Sequence, residues 1–110
     1  MPGRTSAAKR QTNDTKRLEK SIADEILRYL NSLPCCHAEK IHRGTYDLRG
    51  TPDILGALNG RALALEVKRP GNDATPLQQY VMGKWAQAGA ITGVVRSVDD
   101  VRALLNKEET

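Results

Sequence analysis

The sequence has no phenylalanine and a single tryptophan, and aromatic side chains make up only 4% of its residues. Its core must therefore be built from Leu, Ile, Val and Ala. With 110 residues the chain is long enough for one domain with a modest core. We therefore expect part of its stability to come from a partner chain.

Long apolar runs are also missing. No run approaches the roughly 18 residues of a membrane-spanning helix, and the opening residues lack the apolar segment of a signal peptide. These absences predict a cytoplasmic protein without a membrane partner. The sequence has no phosphate-loop signature either, so no nucleotide cofactor is expected.

Cysteine is scarce, and its placement excludes two kinds of site. Cys35 and Cys36 are adjacent, which is a poor arrangement for a disulfide between them. They also lack the spaced pairs of a zinc site. We interpret them as structural or incidental thiols.

Charge is unevenly distributed along the chain. The net charge is +4, and residues 1–20 hold six basic side chains against two acidic ones, whereas residues 21–110 hold eleven of each. Residues 1–12 are polar, small and basic, so we predict a disordered arm that precedes a single domain of residues 13–110. Such an arm attracts nucleic acid through its phosphates, with Lys9 and Arg10 as contacts. A solubilising tail is the alternative.

Apolar residues recur at helical spacing after this arm. Asn13-Asp14-Thr15 can cap a first helix that ends near Ser32, before Pro34. Its predicted buried stripe consists of Leu18, Ile22, Ile26, Tyr29, Leu30 and Leu33. A strand over residues 38–43 would follow, and then a loop over residues 44–50.

A two-residue turn signal, Asn59-Gly60, lies between two apolar runs. It predicts a β-hairpin, because a type I′ turn needs φ > 0 at both central positions. The strands would cover residues 53–58 and 61–68. Leu58 would then face Arg61 across the turn.

This register places Asp53 directly opposite Glu66. Opposed Cβ atoms in an antiparallel pair are roughly 4.5–5.5 Å apart, and side chains alternate between the faces of a sheet, so Lys68 would share this face. The other face is apolar and consists of Ile54, Leu58, Leu63, Leu65 and Val67.

Opposed carboxylates destabilise a sheet unless something neutralises them. A divalent cation would do so, because Mg²⁺ prefers oxygen ligands and usually takes one or two protein carboxylates. Asp53 and Glu66 would anchor it, and the Val67 carbonyl could add a third oxygen. Lys68 could orient a water or stabilise charge on a phosphate. The alternative is that Asp53 caps a strand start and Glu66 pairs with Lys68 as exposed edge charges.

A second helix begins after a loop at residues 69–73. Thr75 is its predicted N-cap, Pro76 its first residue and Gln78 the third residue after the cap, which is a capping-box pattern. Gln78 either bonds back to Thr75 or projects toward the metal site or a phosphate. The predicted buried stripe is Leu77, Val81, Trp85 and Ala88, and Gly89 would stop the helix.

Residues 91–96 read as a strand, and Ser97 caps a last helix that has two acids in its first turn. The predicted order is helix, strand, hairpin, helix, strand, helix. A helix that crosses between parallel strands is expected to give a right-handed connection. The sequence therefore predicts an α/β domain with a mixed sheet and helices on its faces.

Over residues 19–105 the chain resembles a stand-alone VRR-NUC domain, a branch of the PD-(D/E)XK nuclease superfamily. The resemblance rests on motifs that occur in order: Gly50-Thr51-Pro52-Asp53, Glu66-Val67-Lys68, Gly71 followed by Thr75-Pro76-Leu77-Gln78, and Gly89 before Val94-Val95-Arg96-Ser97. It implies a restriction-endonuclease-like fold.

The resemblance also implies a site and an activity. Asp53, Glu66 and the Val67 carbonyl would bind Mg²⁺ or Mn²⁺, with Lys68 as the catalytic lysine and Gln78 as the motif glutamine. Glu19 on the first helix would complete the site, and Glu25 is the alternative. Stand-alone members of the family resemble Holliday-junction resolvases and are expected to be homodimers, often encoded by phages. The expected activity is metal-dependent hydrolysis of phosphodiester bonds in branched DNA, in a bacterial or phage-infected cell.

Two other classes stay open on the sequence, a single-site nuclease of the repair or restriction type and a non-catalytic DNA-binding module. Arginines beside the predicted loops would contact DNA phosphates in each case. They are Arg43, Arg49 and Arg69.

Overall fold

A computed structural model describes residues 2–42 and 49–109, with side chains over residues 17–42 and 49–108. Within these described ranges, three helices and four strands follow one another in the predicted order. They are α1 (Pro2–Ser32), β1 (Cys36–Lys40), β2 (Ile54–Leu58), β3 (Arg61–Val67), α2 (Pro76–Gln87), β4 (Ile91–Val95) and α3 (Val98–Glu109). None of the described helices is both long and apolar enough to cross a membrane.

The strands form one mixed sheet in the order β1-β2-β3-β4. β1 pairs with β2 and β2 with β3 in antiparallel fashion, whereas β3 and β4 are parallel and are joined through α2. The predicted α/β class and mixed sheet are therefore confirmed.

The β2–β3 hairpin has the register that its turn predicts. Leu58 pairs with Arg61 and Ile54 with Leu65. Asn59 and Gly60 adopt φ values of 53° and 81°, so both central positions are left-handed, as a type I′ turn requires. The next position beyond Ile54 and Leu65 sets Asp53 against Glu66.

Helices cover both faces of the sheet. α1 and α3 contact each other and pack on one face. The core there comes from both helices and from alternate strand residues, and its fully buried members include Ile26, Leu30, Ile54, Leu63, Leu65 and Val101. Residues 64 and 66 of β3 point to the other face, where α2 contacts β3 and β4.

α1 begins earlier than the sequence predicts. The structure starts it at Pro2 and continues it through Asn13-Asp14-Thr15. Proline is well suited to a first helical position, and residues 7–11 are strong helix formers. Most of the predicted stripe packs on the core, with Ala23 as an additional buried residue, but Leu18 is 45% exposed. The division into an arm and a domain at residue 13 stays a prediction.

β1 and α2 differ from their predictions in placement. β1 covers residues 36–40 rather than 38–43, because its pairing with β2 begins at Cys36 opposite Leu58. In α2 the buried residues are Gln78 and Met82, so the predicted stripe is wrong. Leu77 is 45% exposed, Ala88 is exposed, and Val81 and Trp85 are half-buried. The spacing of apolar residues did not predict this orientation of α2, because a polar residue, Gln78, faces the sheet.

Candidate active site

Glu66 is the most deeply buried charged residue described in the fold. It lies near the end of β3 and is 1% exposed, under α2. Its Oε1 accepts a 2.9 Å hydrogen bond from Nε2 of Gln78. An acid that is buried in this way needs polar partners, because an uncompensated charge in an apolar interior is costly.

Gln78 serves two purposes at once. Its Oε1 accepts a 2.8 Å hydrogen bond from the Thr75 backbone N–H, and its own N–H donates to Thr75 Oγ1 over 3.1 Å, which completes a capping box. Its Nε2 is left to reach Glu66. The two readings of Gln78 from the sequence are therefore compatible in geometry. The capping box holds the Gln78 amide in one orientation, and this amide in turn orients the Glu66 carboxylate.

Asp53 lies just before β2 and joins two strands. Its Oδ2 accepts a 2.9 Å hydrogen bond from the Val67 N–H on β3. Its carbonyl oxygen accepts a 2.8 Å hydrogen bond from the Ile41 N–H beyond β1. These bonds hold Asp53 at the end of the sheet, beside the residue that follows Glu66.

Lys68 continues β3 toward the same end. Its backbone N–H donates to the Val95 carbonyl over 3.0 Å, which extends the parallel pairing with β4. Its Nζ lies 4.0 Å from Oε1 of Glu66, and its side chain is 16% exposed. Lys68 therefore lies close to the buried acid while part of its side chain remains accessible.

A cleft of about 150 Å³ opens between α1 and this end of the sheet. Its lining includes Glu19 from α1 together with Asp53 and Val67. Glu25, the alternative acid, lies on a different groove, among Arg17, Lys20, Ser21, Asp24 and Arg28. Of the two candidate acids on α1, the structure therefore brings Glu19 and not Glu25 next to Asp53.

The predicted residues form two adjoining groups. One is the cleft with Glu19 and Asp53, and the other is the cluster of Glu66, Lys68 and Gln78 under α2. Val67 connects them, because it lines the cleft and donates its N–H to Asp53. In the described part of the chain, no three His, Cys, Asp or Glu side chains are gathered as a ready-made metal cluster.

The donor atoms at this sheet end suit a hard cation. Asp53 and Glu66 each lie one residue beyond the last pair of the hairpin, Ile54 and Leu65. Carboxylate and carbonyl oxygens are the ligands that Mg²⁺ and Mn²⁺ prefer. Mg²⁺ commonly uses only one or two protein carboxylates and completes its shell with water and substrate oxygens. By their chemistry these oxygens suit a divalent metal, and Asp53, Glu66 and the Val67 carbonyl stay its predicted ligands.

The predicted DNA contacts are only partly described. Arg49 is exposed, and Arg69 is half-buried with an Nε that has no hydrogen-bond partner among the described residues. Arg43 lies outside the described residues, as do the side chains of Lys9 and Arg10, whose backbone belongs to α1.

The sequence analysis did not predict the contacts of Arg96 or the position of Lys40. Arg96 donates hydrogen bonds of 3.1 and 2.7 Å to the Asn72 carbonyl and pairs with Asp73 at 2.7 Å, which fixes the loop that leads from β3 to α2.

Lys40 lines the cleft beside Asp53. The only signal for Lys40 was its two-residue spacing from Ala38 on β1, which places both side chains on the face under α1.

Gly50 seats the Gly-Thr-Pro-Asp motif against α2. Its φ is 81°, and a Cβ there would lie 3.0 Å from both Leu77 Cγ and Val81 Cγ2. Any larger residue at this position would be strained by the left-handed backbone and would also crowd Leu77 and Val81. The glycine thus sets how closely the segment before Asp53 approaches the helix that carries Gln78.

Solved structures share this arrangement of elements. One described as a VRR_NUC domain matches with a TM-score of 0.66, covering 81% of this chain and 95% of that chain at 23% identity. The chain has the VRR-NUC fold. A second structure, described as a VRR_NUC domain protein, matches with a TM-score of 0.60, covering 80% of this chain and 84% of that chain at 18% identity. Neither a protein-family profile nor a curated protein matches the sequence.

The predicted resemblance is thereby confirmed for the fold. Both structures are covered over most of their length, and each match spans about four-fifths of this chain.

Proposed function

We propose that this protein is an endonuclease that requires a divalent metal and cuts branched DNA, with Holliday junctions as its preferred substrate. One observation carries the proposal. In a VRR-NUC fold, Asp53 directly precedes the last pair of the hairpin and accepts a 2.9 Å hydrogen bond from the Val67 N–H, and Lys68 lies 4.0 Å from Glu66.

The chain's residues divide the work. Asp53, Glu66 and the Val67 carbonyl would hold the cation, and Glu19 would complete the site from α1. A divalent cation bound there would supply Lewis acidity toward a phosphodiester and would lower the pKa of a water for attack. Lys68 orients that water or offsets negative charge on the phosphate. Gln78 keeps Glu66 in one orientation through its 2.9 Å hydrogen bond.

The basic side chains would hold the DNA. Arg49 is exposed and Arg69 directly follows Lys68. We assign phosphate contacts to both, and the same role to Arg43, Lys9 and Arg10. Contacts of this kind bind phosphates, so they add affinity without base specificity. Removal of residues 1–12 should therefore weaken binding to every DNA alike.

Resolution of a four-way junction needs two symmetric cuts, which a two-fold homodimer supplies. We therefore propose that two copies of this chain act together. A mixture of wild type with an excess of Glu66→Gln would then nick one strand of a junction without resolving it. A monomer by light scattering, with DNA as well as without, would favour a single-site nuclease of the repair or restriction type.

A non-catalytic DNA-binding module is the second candidate. The observation that favours it is that the two carboxylates lie in different groups, with Glu66 bound by Gln78 under α2 and Asp53 lining the cleft with Glu19. This module would bind branched DNA through the same basic residues, and addition of metal would not lead to cleavage.

The deciding experiment is cleavage of four-way, flapped, single-stranded and linear DNAs with Mg²⁺, with Mn²⁺ and with a chelator. We expect metal-dependent paired cuts, symmetric about the branch of the four-way junction. Metal-dependent cuts without that symmetry indicate the single-site nuclease. Binding without any cut, under both metals, would refute the endonuclease and leave the binding module.

A further inference from the structure

Lys40, the last residue of β1, lies in the same cleft as Glu19 and Asp53. Side chains along β1 alternate between the two faces, and Ala38 is 3% exposed on the face under α1. Lys40 follows two residues later on that face, whereas Glu39 is exposed on the other. The strand therefore directs the Lys40 side chain into the space between α1 and the sheet end.

Backbone hydrogen bonds fix Lys40 relative to Asp53. Lys40 pairs with Ile54 in the β1–β2 ladder, and the next residue, Ile41, donates its N–H to the Asp53 carbonyl over 2.8 Å. Lys40 and Asp53 are thus held on neighbouring strands, one residue apart in the register of the β1–β2 pairing. A group that binds Lys40 is consequently held beside Asp53.

Lys40 differs from the other lysine of the cleft. Lys20 pairs with Asp24 at 3.1 Å, and its side chain is 68% exposed. In the part of the chain that the structure describes, Lys40 takes part in none of the ion pairs, although it is only half-exposed. Its positive charge is therefore available to a ligand.

The cleft requires such a charge if it receives a DNA strand. Glu19 and Asp53 both line it, and each phosphate of an incoming strand is negative. Carboxylates and a phosphate at close range repel one another, and a lysine between them offsets that repulsion. A lysine suits this purpose, since its ammonium group acts as a point charge with three donors.

We propose that Lys40 binds a backbone phosphate of the DNA strand that enters this cleft, and so positions that strand beside Asp53. Lys40 is a positioning residue and takes no part in the chemical step. The proposal rests on the proposed function for its ligand, DNA, but it does not require that the DNA be cut.

The test compares Lys40→Gln, Lys40→Ala and Lys40→Arg with wild type. Affinity for a four-way DNA is measured over a series of salt concentrations, once with a chelator and once with Ca²⁺ in place of Mg²⁺. Loss of one phosphate contact lowers the slope of log affinity against log salt by about 0.9. We expect this fall for the Gln and Ala variants and a slope near that of wild type for Lys40→Arg.

Lys107→Gln is the charge-matched control. It removes one positive charge from α3, near the salt bridge of 2.9 Å between Arg61 and Glu108 that holds this part of α3 at the hairpin turn. That turn lies at the opposite end of the sheet from Lys40. The control should leave the slope unchanged, whereas an equal fall in both variants would attribute the effect to net charge and overturn the proposal.

The other possible results of this experiment also test the contact between Lys40 and a phosphate. An unchanged slope in Lys40→Gln and Lys40→Ala, or wild-type protein that binds DNA under neither condition, overturns the proposal. If the wild type binds with a Lys40-dependent slope and never cuts, the endonuclease is refuted and the phosphate contact stands. If the wild type cuts, Lys40→Gln should raise KM and leave kcat within a few-fold.

Discussion

The Gln78 amide bridges the Thr75 N-cap and the Glu66 carboxylate, with Nε2 only 2.9 Å from Glu66 Oε1. One side chain therefore links the start of α2 to the acid at the end of β3. Because the amide oxygen is held by the cap, the amide nitrogen has a single direction left, toward Glu66. The amide oxygen of Gln78 therefore serves the helix cap, and its amide nitrogen serves the site.

The first prediction separates these two contributions. Gln78→Ala removes half of the capping box and leaves a buried carboxylate without its amide donor, so we expect a destabilisation of about 1–3 kcal/mol. Thr75→Ala weakens only the cap, at a cost of about 1 kcal/mol. Urea unfolding measures both. In a cleavage assay Gln78→Ala should lose activity well beyond Thr75→Ala, and equal losses would show that Gln78 acts only as a cap.

The hairpin and the second cap were predictable because their signals are local. Asn59-Gly60 specifies a turn with two left-handed residues, and a turn of known length fixes the register. The pattern from Thr75 to Gln78 specifies a cap in the same way. Asp53 opposite Glu66 could therefore be inferred from the sequence before any three-dimensional packing was known.

The orientation of α2 and the contents of the cleft depend on packing between distant elements. Apolar periodicity favoured Leu77 for the buried side of α2, but the hydrogen bond to Glu66 turns Gln78 inward. Lys40 enters the site only because β1 pairs with β2 and α1 closes over both. No local pattern marks a lysine at a strand end as part of a site.

The second prediction concerns the acids and the lysine. Asp53→Asn, Glu66→Gln and Lys68→Ala should each lower metal-dependent cleavage by at least about 100-fold, since each removes charge that the reaction needs. Asparagine at position 53 can still accept the hydrogen bond from Val67, and glutamine at position 66 can still accept from Gln78. Thermal unfolding should therefore show a retained fold. Near-wild-type rates in any folded variant would refute the site.

Glu19 and Glu25 offer a matched pair on α1. Glu19 lines the cleft with Asp53, whereas Glu25 lines a separate groove. Glu19→Gln should lower cleavage and raise the metal concentration needed for half-maximal activity. Glu25→Gln carries the same change of charge and should leave both quantities unaltered. The reverse result would transfer the helical acid to Glu25.

The fourth prediction concerns the adjacent cysteines. Burial raises the pKa of the Cys36 thiol, so less of it is thiolate near neutral pH. Cys35 is exposed. Cys35→Ser, which leaves Cys36, should therefore react with iodoacetamide more slowly than Cys36→Ser, and its rate should keep rising with pH toward the raised pKa. In denaturant the two rates should converge, and a difference that persists there would refute burial as the cause.

The last prediction uses two glycines that share one backbone conformation. Gly50 and Gly60 both have φ near 81°, but a Cβ at Gly60 meets nothing within 4 Å, whereas at Gly50 it would lie 3.0 Å from Leu77 Cγ. Gly60→Ala should cost only the left-handed strain of about 1–2 kcal/mol. Gly50→Ala adds overpacking of about 1–3 kcal/mol against α2.

The difference between the two alanine variants, measured by urea unfolding, isolates the contact between the segment before Asp53 and the helix that carries Gln78. Because that contact sets the position of Asp53, Gly50→Ala should also lower cleavage under conditions where both variants are folded, and Gly60→Ala should not. Equal losses of stability in Gly50→Ala and Gly60→Ala would mean that α2 shifts to accommodate the added methyl group. Equal activities would then show that the approach of this segment to α2 does not position Asp53.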